Sequence, residues 1–328
     1  DTTRARANIL REFLTNSTQL NRFNHKEIYE VMDLCLSCKG CKSECPSNVD
    51  VAKLKAEFLQ HYYDANGVPL RSKMIANFTA SAKLGSIAPG LYNFFMNNAV
   101  TGSLIKKAVG FATKRPVPEL SKQTFRSWFK QHVSQLKKSV TNPPLRPARA
   151  GTDGDRGKVF LFCDEFTNYN DAHIGKTTVL LLEKLGYTVE LTEHLESART
   201  WLSKGLLRRA KEIANKNIEL LSKVVNEETP LLGIEPSAIL TFRDEYPDLA
   251  TDENLAPAKS LAKHALMIDE FLEKEIAKGI IKKEQFTNAS QVIQLHGHCQ
   301  QKAVGSVNAS VSILSFPENY KVETIPSG

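Results

Sequence analysis

The sequence predicts a multidomain protein in which a helical domain precedes an α/β domain with a mostly parallel sheet. Three observations predict this division. Residues 1–138 carry apolar side chains at helical spacing, residues 139–157 have the proline, glycine and charge of a linker, and residues 158–328 alternate apolar strands with helices. At 328 residues the chain is long enough for two domains that each bury a core.

The helical domain is expected to begin with an amphipathic helix that Thr2 or Thr3 caps. A capping pattern that starts at Asn24 predicts a second helix, which leads directly into Cys35. A third helix follows, and Asp50 is its expected N-cap. The segment between the second and third helices is therefore a loop held at both ends by helices.

Residues 70–135 continue as predicted helices with small-residue breaks. Within them, residues 91–109 are apolar and basic together. Such a segment can pack within its own domain, or it can contact a membrane surface or a partner such as a quinone. The sequence leaves both interpretations open. No stretch reaches the ~18 uninterrupted apolar residues that a membrane span needs.

The α/β domain shows the periodicity of short strands separated by helices. The expected strands are residues 158–163, 187–191, 237–242 and 291–295. The expected helices are residues 173–185, 204–225 and 258–278. Gly186 is the expected C-terminal cap of the first of these helices. This βαβ alternation is typical of a parallel sheet covered by helices.

The charge of the chain does not favour nucleic acid as a partner. The formal net charge is +7, but lysine and arginine are spread over many helices and interleaved with acidic residues, as on solvated faces. No basic block with interleaved aromatics is present. The first residues do not resemble a signal peptide. We expect a cytoplasmic protein, peripheral on the inner membrane face if residues 91–109 contact lipid.

Four cysteines lie within eleven residues, Cys35, Cys38, Cys41 and Cys45, and Pro46 follows them. This spacing is the one with which bacterial ferredoxins hold cubane iron–sulfur clusters. Three thiolates two residues apart can wrap one corner of a cluster, whereas the fourth, stopped by proline, points to a neighbouring cluster. We therefore expect the first three to share one 4Fe-4S cluster and the fourth to serve a second, in a ferredoxin-type helical unit.

Zinc is the alternative occupant of this run. A zinc-stabilised interaction scaffold without a redox role would want a second cysteine pair or histidines at finger spacing, and here four thiols crowd together instead. Disulfides are disfavoured because such loops suit a reducing compartment.

Weaker candidates for metal binding are Cys163, Cys299 and His298, which follow predicted strands. If both cysteines lie at the carboxyl edge of one sheet, they can approach one another at the place where ligands gather. The alternative is that each cysteine packs as a small hydrophobe and the histidine caps a helix. A thiol–disulfide enzyme would need one of these thiols exposed and with a low pKa. Residues 243–246 also follow a predicted strand, and a salt-bridge network is expected there.

These motifs together resemble the C-terminal half of large FAD-linked oxidases, the relatives of D-lactate, glycolate and D-2-hydroxyglutarate dehydrogenases. The resemblance implies an electron-transfer module, not catalytic by itself, that relays electrons from FAD on an upstream flavin domain to a quinone or another acceptor. It also implies that the α/β domain is of the cysteine-rich, heterodisulfide-reductase-like type. The segments that carry the resemblance are residues 35–46, 115–128, 235–247 and 296–302.

The chain departs from that family at several cysteine positions. Glu196-Ser-Ala-Arg199 stands where the family has a Cys-Cys-Gly motif, and Ala238 stands where relatives often have cysteine. The resemblance implies truncation at both ends, with a first cysteine run upstream and a second Cys-Cys-Gly motif downstream. We therefore expect an incomplete α/β domain, incomplete clusters and poor iron binding by these 328 residues.

Overall fold

Helices dominate the computed structural model, which describes residues 2–18, 20–21, 23–141 and 156–326. The helices are α1 (Thr3–Asn16), α2 (Lys26–Asp33), α3 (Gly40–Glu44), α4 (Val51–Asn66), α5 (Leu70–Ala76), α6 (Phe78–Gly85), α7 (Pro89–Asn97), α8 (Thr101–Ala108), α9 (Phe125–Thr141), α10 (Glu165–Tyr169), α11 (Ala172–Lys184), α12 (Arg199–Ser203), α13 (Leu207–Leu221), α14 (Pro236–Ile239), α15 (Thr241–Asp244), α16 (Tyr246–Leu249), α17 (Asp252–His264), α18 (Ile268–Ala277), α19 (Cys299–Val304) and α20 (Asn308–Leu314). The strands are β1 (Lys158–Leu161), β2 (Thr188–Leu191), β3 (Leu231–Gly233), β4 (Ala265–Met267), β5 (Gln291–Leu295) and β6 (Tyr320–Thr324).

The first helices form where capping and apolar spacing predict them. Thr2 Oγ1 accepts the Ala5 amide at 3.2 Å, and Asp50 Oδ1 accepts the Ala52 amide at 2.9 Å, so both predicted caps are confirmed. The cap at Asn24 is wrong, because α2 begins two residues later and takes His25 as its N-cap without a side-chain bond. Apolar faces of α1, α2 and α4 form one core, whose buried members are Leu10, Ile28, Met32, Phe58, Leu59 and Tyr63.

The second half of the chain folds around a four-stranded sheet in the order β2-β1-β3-β4, with every neighbouring pair parallel. Helices cover both faces, and each face has its own apolar core. The predicted parallel sheet with helical layers is therefore confirmed in outline. Gly186, at φ 96°, follows the end of α11 as predicted, since glycine adopts this left-handed conformation at no steric cost.

One predicted strand is wrong and two short strands were missed, for a common reason. Residues 237–242 form parts of α14 and α15, where Pro236 starts the turn and the Glu235 carboxylate accepts the Ala238 amide at 2.6 Å. The three-residue strands β3 and β4 were not predicted, and β4 divides the predicted helix 258–278 into α17 and α18. Short, fully buried segments are apolar on all sides, so periodicity cannot distinguish strand from helix there.

The strand at residues 291–295 is confirmed, but it belongs to a second sheet. In the described part of the chain β5 pairs in parallel with β6 and lies outside the four-stranded sheet. Cys163 follows β1 and Cys299 follows β5. The expectation that both cysteines share one sheet edge is therefore wrong.

The predicted linker, residues 139–157, lies mostly outside the described residues. The helix that precedes it, α9, packs on the sheet, because buried Phe125 and Phe129 share a core with Val159 and Leu161 of β1. The domain limits at 138 and 158 stay a prediction. Within the described ranges, no helix combines the length and apolar character that crossing a membrane requires.

Candidate functional site

The four clustered cysteines lie in the cysteine loop, residues 35–45, which begins just after α2 and includes α3. Ser37 and Lys39 adopt the left-handed conformation, with φ of 56° and 63°. These two reversals curl the backbone around the first three cysteines, and the Ser37 amide donates to Cys35 Sγ at 3.4 Å. An amide that points at a cysteine sulfur stabilises the thiolate, which is the form that binds metal.

Cys41 lies in the electrostatic field of the first two thiols. Burial raises the pKa of Cys41, the Val51 amide lowers it by donating to the sulfur, and Asp50, Cys35 and Cys38 raise it further. Cys35 and Cys38 thus lie close enough to Cys41 for negative charge on them to oppose its ionisation. A bound cation would remove this repulsion, because metal coordination favours the thiolate.

Cys45 has different surroundings. It is the C-cap of α3, and the backbone amides of Val49, Ser47 and Asn48 lower its pKa. Asn48 adopts φ 53°, and asparagine tolerates that conformation better than most residues. The Cys45 sulfur therefore has its own set of backbone donors, which favour its thiolate form. The division into three cysteines and one stays a prediction.

Two buried lysines place positive charge beside the cysteine loop. Lys55 on α4 is 2% exposed and donates to the Cys35 carbonyl, and burial lowers its pKa to about 8. Lys39 is 1% exposed between Cys38 and Cys41. Burial opposes its charge, but Glu245, Asp244 and Asp50 together raise the pKa of Lys39 above its ordinary value. Cations at these positions favour a negatively charged group in the loop.

The loop residues fit an iron–sulfur cluster in their chemistry. Thiolates are the ligands that these clusters use, and the amide donors and buried cations suit the negative charge of a cluster held by cysteines. Ser37 Oγ is buried in the loop with no hydrogen-bond partner in the described part of the chain, so a donor remains for a further acceptor. No three His, Cys, Asp or Glu side chains among the described residues converge on a single metal-ion position.

The predicted salt-bridge network at residues 243–246 is confirmed, and it joins the cysteine loop to the α/β part. Lys39 Nζ pairs with Asp50 at 2.9 Å, with Glu245 at 3.0 Å and with Asp244. Asp244 also accepts from Lys42 at 2.8 Å and from Lys53 at 3.0 Å. One carboxylate of the second half of the chain thus pairs with three lysines of the first.

Three residues around the cysteines were not predicted as part of this site. Neither Lys39 nor Lys55 was assigned a role from the sequence, and Asp244 was expected only as a local salt-bridge partner. A lysine between two of the clustered cysteines can be recognised in the sequence. Its ion-pair partner cannot be recognised in this way, since Asp244 lies 205 residues further along the chain than Lys39.

Cys299 is placed beside the cysteine loop and not beside Cys163. Its helix, α19, packs against α3, and Gln300 Nε2 donates to the Ser37 carbonyl at 2.8 Å. His298 is the N-cap of α19, where its Nδ1 accepts the Gln300 amide at 3.2 Å. Of the two interpretations left open for His298, the described contacts favour the helix cap.

Cys163 lies in a buried hydrogen-bonded setting that disfavours reactivity. It is 4% exposed, and burial raises its pKa to about 12. Its amide donates to His194 Nε2 at 3.3 Å, and Arg126 Nη2 also donates to that nitrogen at 2.6 Å. A thiol with this pKa is protonated at neutral pH, so the chemistry of a thiol–disulfide enzyme is not favoured at Cys163.

Where the resemblance implies further cysteines, the structure has residues that pack or form hydrogen bonds. Ser197 Oγ donates to buried Glu165 at 2.7 Å, and Ala198 adopts φ 65°, a conformation that suits the glycine of a Cys-Cys-Gly motif. Ala238 is fully buried in the core of one sheet face. These positions supply no thiolate, so Cys163 has no cysteine partner there.

Comparisons with known proteins bear on both halves of the chain. Residues 1–50 match the 4Fe-4S dicluster domain. Over 225 residues, 68% of the chain, it is 32% identical to a D-2-hydroxyglutarate dehydrogenase of Pantoea ananatis. The resemblance predicted from the motifs is confirmed. The Escherichia coli K12 D-2-hydroxyglutarate dehydrogenase is 31% identical over 68% of the chain. No solved structure matches.

The chain spans only part of these relatives. It covers 21% of each of the two D-2-hydroxyglutarate dehydrogenases. It also matches one component of the anaerobic glycerol-3-phosphate dehydrogenase of Escherichia coli K12, with 22% identity over 71% of the chain and 54% of that component. Residues 1–50 are thus an iron–sulfur domain in a chain that is similar to part of these dehydrogenases.

Proposed function

We propose that this protein is an electron-transfer module in which Cys35, Cys38 and Cys41 hold one 4Fe-4S cluster and Cys45 contributes to a second. The observation that carries the proposal is the division of the cysteine loop. The left-handed residues Ser37 and Lys39 bring Cys35 and Cys38 close to Cys41, whereas the backbone amides that follow α3 face the Cys45 sulfur. Four cysteines are too few for two cubanes, so both clusters need further ligands.

The residues around the loop have distinct tasks in this proposal. When bound, a 4Fe-4S cluster accepts and releases one electron at a time. Lys55, which donates to the Cys35 carbonyl, places positive charge beside the thiolates and stabilises the added negative charge. The charge of Lys39 is met by Asp50, Asp244 and Glu245, so this lysine anchors the loop. The Lys39 network and Gln300 hold the loop against the α/β part, which keeps the donor geometry rigid.

We further propose that the electrons come from an upstream flavin domain that carries FAD and oxidises a 2-hydroxy acid. Oxidation of a 2-hydroxy acid to a 2-oxo acid releases two electrons and two protons, and single-electron carriers pass the electrons on one at a time. The similarity to two D-2-hydroxyglutarate dehydrogenases supports a 2-hydroxy acid as the electron source. A quinone or another carrier is the proposed acceptor, and the cytoplasm is the proposed location.

Anaerobic reconstitution with iron and sulfide tests the ligand assignment. The Cys41→Ser variant should lose iron and visible thiolate-to-iron absorbance, and adding Cys38→Ser should cause little further loss because both thiols serve one cluster. Cys45→Ser alone should leave the iron content nearly unchanged, because Cys45 contributes to a second cluster that the thiols of this loop cannot complete. Cys163→Ser is the matched control, since its buried thiol lies outside the loop.

Three outcomes would contradict parts of this proposal. Two complete cubanes per chain would contradict the expected incomplete ligand set. Loss of iron in Cys45→Ser as large as the loss in Cys41→Ser would show that all four thiols serve one cluster. A stoichiometric, colourless zinc complex that rejects iron would overturn the redox function and favour the zinc-stabilised scaffold.

A further inference from the structure

Helix α7 is an apolar helix that buries none of its nine residues. Leu91 is 59% exposed, Phe94 63% and Phe95 42%. Apolar side chains on the outside of a helix are ordinary when they are scattered, but adjacent exposed aromatic and aliphatic residues mark an interaction site. A helix with such a surface and no buried residue has no covering layer within the described part of the chain.

Helix α8 extends this surface and is held against α7 at close range. A Cβ on Gly102 would lie 2.3 Å from the Met96 carbonyl oxygen, so only glycine permits this approach. Thr101 Oγ1 donates to the Phe95 carbonyl at 2.8 Å. We call the exposed apolar residues of α6–α8 and their connections the apolar surface; its members are Leu84, Ile87, Leu91, Phe94, Phe95, Val100, Leu104 and Ile105.

The sequence segment that carries the apolar surface has charge of a single sign, and the nearest acidic side chain in the sequence, Glu119, accepts a hydrogen bond from Asn97 at the end of α7 at 2.6 Å. Residues 65–118 contain seven lysines and arginines and no aspartate or glutamate, whereas acidic residues are interleaved elsewhere. The formal charge of this segment is therefore equal to the formal net charge of the whole chain, +7. Six of the seven are exposed, namely Arg71, Lys73, Lys83, Lys107, Lys114 and Arg115. Lys106 is buried and donates to the Arg115 carbonyl at 3.0 Å, so its charge is used internally.

We propose that the apolar surface docks on an anionic lipid membrane. Exposed leucine and phenylalanine side chains insert at the boundary between headgroups and acyl chains, and surrounding lysines and arginines attract anionic headgroups. A second copy of the chain is a poor occupant, because two surfaces of equal positive charge repel each other. The proposal does not depend on the clusters, since cysteines take no part in this surface.

Vesicle co-sedimentation of the 328-residue chain tests the proposal. The chain should pellet with phosphatidylcholine vesicles that contain phosphatidylglycerol, and weakly with phosphatidylcholine alone. Leu91→Ser combined with Phe94→Ser should abolish pelleting, and Lys107→Glu should weaken binding by more than the roughly fivefold effect of losing one cation near the surface. Rising salt should weaken binding of the parent chain.

Two variants serve as matched controls on the opposite half of the chain. Leu180→Ser removes a leucine that is 50% exposed on α11, and Lys259→Glu reverses an exposed lysine on α17. Both should bind like the parent chain, and thermal unfolding should show that all variants are folded. Absence of binding to anionic vesicles overturns the proposal, as does equal loss in the controls. Conversion of a dimer to a monomer by the Leu91 and Phe94 changes, without vesicle binding, would also overturn it.

Discussion

At the scale of single residues, His194 shows how the fold fixes one protonation state. Its Nδ1–H donates to the Leu195 carbonyl at 2.6 Å, while Nε2 accepts from Arg126 and from the Cys163 amide. Only a neutral imidazole has one donor and one acceptor nitrogen. Burial, followed by the Arg126 guanidinium, lowers the pKa of His194 to about 3.

The stability of the protein should therefore fall on mild acidification. The unfolded chain takes up a proton on His194 near its ordinary pKa of 6.5, whereas the folded chain does so only near 3. Stability is lost as pH falls through this window, by up to about 1.4 kcal/mol per pH unit. Urea unfolding at pH 7, 6 and 5 should show a smaller decrease for His194→Gln than for the parent chain.

His173 provides the control for this measurement, because it is an exposed histidine on α11. The His173→Gln variant should keep the full pH dependence of the parent chain. If His194→Gln and His173→Gln have the same slope between pH 7 and 5, then His194 is not the group that destabilises the protein in acid.

At the scale of elements, the connection between α12 and α13 approaches α4 more closely than a side chain allows. Gly205, at φ 69°, would place a Cβ 2.3 Å from Leu59 Cβ and 3.1 Å from the Ala56 carbonyl oxygen. Leu59 is fully buried in the core of the first helices. This glycine is therefore required both by its backbone conformation and by the contact between the two halves of the chain.

Replacing Gly205 by alanine should lower the free energy of unfolding by about 3 kcal/mol, since overpacking adds to left-handed strain. Gly279→Ala is the matched control, because Gly279 has φ 72° with nothing within 4 Å of the added Cβ. The control should cost about 1 kcal/mol, the strain alone. Equal losses in the two variants, measured by urea unfolding, would show that the contact with α4 contributes nothing.

At the scale of the whole molecule, local signals were readable from the sequence and distant pairings were not. Cysteine spacing, the Asp50 cap and the Gly186 helix end each depend on residues within one turn or loop. The position of α19 against α3 depends on contacts such as Gln300 with Ser37, 263 residues apart. Cys299 was assigned to the wrong neighbour for this reason, because a strand end shows which edge a residue occupies only when the sheet is known.

The ion-pair network of Asp244 is the feature that most directly tests the joint between the two halves. Asp244 pairs with Lys39, Lys42 and Lys53, and its side chain is 8% exposed. Burial raises the pKa of Asp244, but the three lysines outweigh burial and hold this pKa below its ordinary value of 3.8. Lys39 makes the largest contribution of the three. The stabilisation is therefore fully present above about pH 4 and is lost as pH falls further.

The Asp244→Asn variant should remove the carboxylate that Lys39, Lys42 and Lys53 share. Asp50 and Glu245 still pair with Lys39, so the loss falls on the contacts that Asp244 alone makes. Removing one partner of a buried ion pair costs about 3 kcal/mol or more. Amide hydrogen exchange at neutral pH should then rise in the cysteine loop as well as in α15, because the loop loses its anchor on the α/β part. Asp64→Asn is the control, since its partner Arg208 is 71% exposed and surface pairs contribute about 1 kcal/mol or less. Faster exchange confined to α15, with the cysteine loop unchanged, would show that the two halves are held together by apolar contacts such as that of Gly205 with Leu59.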